Sequence, residues 1–197
     1  MKSWRTPRSS PTRERKAFLR TSVALALLSC LTAGARAEEP KAGKLRVSGN
    51  GAYGVRMVET GKDQCRVEAS KDSEPLWQLA KCVGDSDDYY FISNDGTRFW
   101  VLRTTPEKPG APKGKKKGTP WYQVEVATLY DQQGASLQSK RLMDLVIKED
   151  RAKVRQLGTH FVWLEGVDDI PGKRPRINDL GQVEFEVAGS KTQKLNF

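Results

Sequence analysis

An all-β fold, mainly an antiparallel sandwich or barrel-like sheet with at most one short helix, is what the 197 residues predict. Three observations carry this expectation. From Leu45 onward, short runs rich in Val, Tyr, Phe, Trp and Thr alternate with turn-forming residues, as in β-sandwiches and barrels. Several runs alternate strictly. In Tyr122-Gln123-Val124-Glu125-Val126 and Val183-Glu184-Phe185-Glu186-Val187 one face is apolar and the other wet, the period of two that a pleated strand imposes. Turns such as Asn94-Asp95-Gly96 separate the runs, since Gly tolerates positive φ and Asn or Asp side chains bond to the turn backbone.

In chain order, the N-terminus predicts export. Eight Lys or Arg residues and a single acid, Glu14, precede Glu38, and the apolar run VALALLSCLTA occupies 23–33. Basic residues followed by an apolar run are the order of an export signal. The run falls short of the about 20 residues that a spanning helix needs, so the mature chain is expected to carry no transmembrane segment. Ala35-Arg36-Ala37 supplies an A-x-A site, which predicts that residues 1–37 are a signal peptide cleaved before Glu38. Two other readings stay open. Leu27-Leu28-Ser29-Cys30 resembles a lipobox, which would lipidate Cys30 and anchor the protein to a membrane. Arg15-Lys16-Ala17-Phe18-Leu19-Arg20 resembles the twin-arginine motif, with Lys in the second arginine position. All three routes leave a bacterial cytoplasm, for the periplasm or the medium.

Removing the leader also removes most of the charge. The chain has 34 basic and 24 acidic residues, net +10; without the eight and the one of residues 1–37, 26 and 23 remain, net +3. The segment 106–119 holds five of those lysines, including Lys113, Lys115, Lys116 and Lys117, against Glu107 alone. The remaining body is close to neutral. A high isoelectric point would ordinarily suggest nucleic acid, but here it arises from a leader and one loop, so nucleic acid is not supported as a partner.

Residues 38–44, EEPKAGK, read as a flexible lead-in to a single β-rich domain over 45–197. Expected strands are LRVSG, YGVRMVE, QCRVEA, LWQLAKC, DYYFISN, RFWVLRT, WYQVEVATLYD, ASLQSKRL, HFVWLEG, GQVEFEVAG and KTQKLNF. Cys65 and Cys82, the two cysteines left after export, flank the turn-forming cluster Lys71-Asp72-Ser73-Glu74-Pro75. A hairpin about Ser73 and Glu74 would bring them face to face as a disulfide, which an oxidising compartment preserves. Only 142–147 suggests a helix, of about two turns, with Leu142, Leu145 and Val146 facing inward. At 160 residues the mature chain can hold one core, with Trp77, Trp100, Trp121 and Trp163 to fill it.

The low-complexity loop PEKPGAPKGKKKGTP at 106–120 cannot bury enough apolar surface to order itself. Lys113, Lys115, Lys116 and Lys117 are candidate contacts for an anionic partner such as envelope glycan or lipid head groups. Trp121 and Tyr122, beside it, are candidates for an exposed aromatic strip.

Ile92-Ser93-Asn94-Asp95-Gly96 resembles the S-x-D-G turns in blades of β-propeller proteins and of uncharacterised secreted bacterial β-proteins, with a looser echo in Leu129-Tyr130-Asp131-Gln132-Gln133-Gly134. The resemblance covers about 15 residues and implies a blade-like hairpin, with no activity attached. Four blades of about 40 residues would consume the whole mature chain, and no such period is visible.

Chemistry is sparse. The one histidine, His160, lies in THFVWLEG among apolar residues, and no G-x-S-x-G elbow accompanies it. One histidine and two paired cysteines make a poor zinc site. Asp85, Asp87 and Asp88 place three carboxylates within four residues and are the candidate cation ligands, for Ca²⁺, although the ordered calcium loop with its distal Glu is missing. These features point to a non-catalytic binding or structural domain of the bacterial envelope, working on glycan, lipid head groups or another exported protein. A hydrolase using Asp or Glu as acid and base on an envelope polymer is the second reading.

Overall fold

The computed structural model describes residues 40–110, 119–167 and 169–197. Cys30 and the expected leader, and Lys113, Lys115, Lys116 and Lys117 of the 106–120 loop, lie outside the described residues.

Alternating strands pair into three antiparallel meanders. In the first, β1 (Lys41–Ala42) and β2 (Arg46–Val47) both pair with β3 (Tyr53–Gly61), and β4 (Gln64–Lys71) and β5 (Glu74–Leu79) follow. The second runs β6 (Tyr89–Ile92), β7 (Arg98–Leu102), β8 (Glu125–Asp131) and β9 (Ser136–Arg141), each beside the next. A hairpin of β10 (Arg155–Leu157) and β11 (His160–Val162) leads into the third, β12 (Arg176–Ile177), β13 (Val183–Val187) and β14 (Lys191–Leu195). Past β11 the chain joins β13, with Ala188 N donating to the Trp163 carbonyl and Glu165 N to the Glu186 carbonyl, both at 2.9 Å.

The second sheet is the middle layer, and its alternation decides which neighbour each side chain meets. Phe91, Trp100 and Leu129 stand opposite one another across β6, β7 and β8 and pack with Phe161, Trp163, Val183 and Phe185 of the third layer. Ile92, Phe99 and Tyr130 form the next row and pack toward Val55, Met57 and Val67 of the first. Directly opposed residues share a face of a sheet, so each row commits to one side. The expected core is thus two apolar layers with the middle sheet between them. Trp100 and Trp163 are fully buried, and each indole N–H finds a carbonyl: Asn196 at 2.9 Å and Arg103 at 2.6 Å. Burying a tryptophan without such a partner would leave a costly unpaired donor.

Local details follow from residue chemistry. α1 (Leu142–Leu145) stands where the helix was expected but has four residues, about one turn rather than two; the Asp144 carboxylate accepts the Arg141 backbone N–H at 2.9 Å, and Leu142, Leu145 and Val146 are buried as anticipated. Trp121–Gln123, expected as the start of a strand, form a short 3-10 turn instead. Pro120 has no N–H to give a sheet, and its carbonyl accepts Gln123 N at 2.9 Å to close the turn. The lead-in at 38–44 also departs from expectation: Lys41 and Ala42 pair with Glu59 and Val58, and Gly43 N donates to the Met57 carbonyl at 2.8 Å, satisfying the edge of β3 that would otherwise face water unpaired.

The Cys65–Cys82 disulfide is formed, with Cα atoms 4.9 Å apart. The β4–β5 hairpin turns about Asp72 and Ser73, one residue before the expected centre, pairing Lys71 with Glu74, and a bulge between Ala69 and Ser70 shifts its register. Cys82 therefore reaches Cys65 from just beyond the end of β5. No helix among the described residues is long and apolar enough to cross a membrane.

Candidate functional site

The turns at the inner ends of the three sheets are built alike. Ser93 Oγ accepts Arg98 N at 3.1 Å, and Asp95 Oδ1 accepts Thr97 N at 3.0 Å and Thr97 Oγ1 at 2.8 Å. Gly96 follows with φ of 72°. Ser48 and Asn50 repeat the plan in the first sheet: Ser48 Oγ accepts Tyr53 N at 3.1 Å, Asn50 Oδ1 accepts Ala52 N at 3.2 Å, and Gly51 has φ of 76°. In the third, Asn178 Oδ1 accepts Leu180 N and Gln182 N, both at 3.0 Å, and Gly181 has φ of 73°. These are Asx-type turns that let a side chain do backbone bonding. They meet: Asn50 donates twice to Asn94, and a Cβ added at Gly181 would sit 3.0 Å from Asn94 Nδ2. Tyr53 closes the corner so tightly that a Cβ at Gly96 would lie 2.5 Å from its ring.

Beside β2 and β6, residues of all three sheets line a cleft of about 500 Å³. Lys44 and Arg46 come from the first sheet, Asp87, Asp88 and Tyr89 from the turn into β6 and its first residue, Thr104 and Thr105 from beyond β7, and Arg174 from the approach to β12. The Arg46 guanidinium lies 3.9 Å from the centroid of the Tyr89 ring. Burial lowers its pKa from the ordinary value, opposed by Tyr89, and the positive charge of Arg174 lowers it further. An arginine remains charged at neutral pH even so.

The carboxylates of this cleft are already engaged. Asp87 pairs with Lys41 at 3.1 Å and is well exposed. Asp88 is buried; its Oδ1 accepts Thr104 N at 2.8 Å and its Oδ2 accepts Asp85 N at 2.9 Å. Burial pushes the Asp88 carboxyl above its ordinary range against the pull of those two N–H donors. Ser86, also buried and lining the cleft, donates its backbone N–H to Glu59 at 2.9 Å. Its side chain and backbone N–H together hold the Glu59 carboxyl below its ordinary range.

Of the candidate cation ligands Asp85, Asp87 and Asp88, Asp87 is thus paired with Lys41 and Asp88 with backbone donors, one of them Asp85 N. Among the described residues, no group of three or more His, Cys, Asp or Glu side chains is placed to hold a metal ion. His160 lies on the rim of a separate, smaller cleft of about 330 Å³ that also holds Arg103, Glu107, Asp85 and Asp88. Its ring is exposed, with Nδ1 3.0 Å from the Thr159 hydroxyl. Trp121 and Tyr122 do not make a flat exposed strip: both are half-buried, Trp121 packing edge-on against Phe161 and Tyr122 lying under Arg151.

Arg46 and Arg174 were not visible as site residues in the sequence. In Leu45-Arg46-Val47, alternation would turn the two aliphatics inward and the arginine to water. The reverse occurs, with Leu45 and Val47 each 57% exposed and Arg46 half-buried. Comparisons of the chain with protein-family models, curated proteins and solved structures returned no match.

Proposed function

We propose that the chain is an exported, non-catalytic binding domain of the bacterial envelope. The observation that carries this reading is the cleft beside β2 and β6, where among the described residues Lys44, Arg46 and Arg174 have no ion-pair partner, while Asp87 pairs with Lys41 and Asp88 accepts two backbone N–H groups. Acid–base catalysis needs a group that can exchange a proton with substrate, and Asp88, the carboxyl with a raised pKa, has both oxygens committed to backbone donors. The disulfide supports an oxidising compartment, and the leader points to the periplasm or medium.

Fractionation of a tagged full-length chain, followed by co-sedimentation of the purified protein with isolated envelope polymer, tests the proposal. Expected are an extracytoplasmic location, saturable sedimentation, and no new reducing ends in the polymer. Steady release of reducing ends would favour the hydrolase reading. A cytoplasmic protein with reduced cysteines would overturn the proposal.

A further inference from the structure

We infer that the cleft beside β2 and β6 is an oxyanion-binding site that receives a carboxylate or phosphate group between Arg46 and Arg174. The inference deepens the binding-domain reading by naming the chemistry that the ligand must carry.

Charge balance is the first argument. Lys44, Arg46 and Arg174 line one cleft, and among the described residues none of the three has a carboxylate within ion-pair distance, while Asp87 of the same cleft pairs with Lys41, so three unpaired positive charges gather in one place. The positive charge of Arg174 is felt at Arg46, and an incoming anion relieves that repulsion.

Pre-organisation is the second. Arg46 is half-buried and held against Tyr89 at 3.9 Å, with Phe91 at 5.6 Å from its guanidinium, so much of the rotamer entropy that a surface arginine loses on binding is already lost. The guanidinium carries five N–H donors, more than its contact with Tyr89 uses, and their fork matches the spacing of two oxygens on a carboxylate or phosphate. Partial exclusion of water also strengthens the attraction over that of an exposed lysine.

The third argument comes from the neutral lining. Ser86 is buried and lines the cleft beside Glu59, whose carboxyl its side chain helps hold below the ordinary range. Thr104 and Thr105 line the same space. The Thr104 hydroxyl already donates to Asp88 at 3.3 Å, which leaves the Thr105 hydroxyl in the lining beside the guanidinium groups to suit an anion set on a polar body such as a sugar. A volume of about 500 Å³ falls in the usual range of small-molecule sites.

Isothermal titration at fixed ionic strength, with the full mature chain, tests the site against inorganic pyrophosphate, an oligogalacturonate and a neutral chito-oligosaccharide. The variants are Arg46→Ala, Arg46→Lys, Arg174→Ala and, as a control for net charge, Lys62→Ala on the β3–β4 turn. Expected is binding of at least one of the two anions, weakened about 10- to 100-fold by Arg46→Ala and by Arg174→Ala, less restored by Lys than by Arg, and unchanged in Lys62→Ala. A pyrophosphate response and an oligogalacturonate response separate phosphate from carboxylate as the ligand's source. Arg174 is exposed, so its variant decides the matter even if Arg46→Ala fails to fold. Wild-type affinity in Arg174→Ala together with either Arg46 variant, or no binding of either anion, would overturn the inference. Envelope polymer that still sediments with Arg174→Ala would sink this site while leaving the binding-domain reading intact. Anion binding in the cleft without any sedimentation would do the opposite.

Discussion

Asn94 accepts the backbone N–H of Asn50 through its side-chain oxygen at 3.0 Å, and its own carbonyl accepts the Asn50 side-chain amide at 3.0 Å. One residue of the middle sheet thus fixes the innermost turn of the first, and Gly181 of the third packs against the same side chain. Asn94→Ala removes one of the two bonds and the contact with Gly181, and is expected to destabilise the fold by about 1 kcal/mol, moderated by the exposure of both turns. Gly181→Ala adds strain at positive φ to a close contact and is expected to lose about 1–2 kcal/mol. Chemical denaturation of both single variants and the double checks this. Strict additivity would show that the two turns are not coupled through Asn94.

The disulfide closes a segment with a sequence separation of 17. On the chain-entropy model such a loop stabilises a fold by about 3 kcal/mol, so Cys65→Ser with Cys82→Ser is expected to lower the unfolding free energy by about that amount. Non-reducing mass spectrometry should find the native protein about 2 Da lighter than its reduced form. Two free thiols in protein recovered from the periplasm would refute the pairing there.

Sheet patterning was legible because it is local. The alternation of Val183 to Val187 appears directly as buried and half-buried residues along β13, and each expected strand corresponds to a strand or part of one. Short elements were not legible, since Arg155–Leu157 and Arg176–Ile177 are too short to show an alternation and take their strand geometry from pairing with the strand that follows. The site was less legible still. Arg46 acquires its role from Tyr89, 43 positions away, and from Arg174, far beyond both. No spacing rule links such residues. The three acids at 85–88 failed as a group for the opposite reason: adjacency in sequence does not aim side chains together, and Asp88 turned inward to hold Thr104.

Asp95 makes the fold sensitive to acid. The Ser93 hydroxyl, then the Thr97 N–H and hydroxyl, hold its carboxyl at a pKa of about 2, below the ordinary 3.8. Because the folded value is depressed, the contribution is fully present above about pH 4 and fades as pH falls toward 2. The side chain is 56% exposed, so solvent screening limits the effect to about 1 kcal/mol. Wild type and Asp95→Asn should differ in unfolding free energy at pH 5.5 and converge near pH 2. A constant difference across that range would remove the carboxylate as the cause.

The middle layer should be the least tolerant part of the fold. Phe99 is fully buried, its ring centroid 5.6 Å from Trp77 and 5.5 Å from Tyr130. Phe99→Ala removes both ring contacts and opens a cavity against the first sheet, an expected loss of about 3–5 kcal/mol. Leu137→Ala, on the exposed strand β9 with 52% exposure, is expected to stay within about 0.5 kcal/mol of wild type. Equal sensitivity at the two positions would contradict the layer assignment.

Asp88 separates structure from chemistry in the cleft. Its Oδ1 accepts Thr104 N and its Oδ2 accepts Asp85 N, so it ties the turn before β6 to the segment after β7. Asp88→Asn keeps one acceptor but turns an NH₂ toward the other backbone donor, which should destabilise the fold by about 1–3 kcal/mol. Burial raises the folded pKa of this carboxyl, so the folded state holds its proton more firmly than the unfolded chain does. That contribution is present below the unfolded value, near pH 4, and is lost as pH rises through the folded value. Asp88→Asn should abolish this descending limb in a stability profile measured from pH 3 upward. Anion affinity at pH 7, measured on the folded fraction, should change less than about three-fold, because the carboxylate already accepts two backbone N–H groups and the Thr104 hydroxyl. A large gain in affinity would instead show that Asp88 repels the ligand from within the cleft.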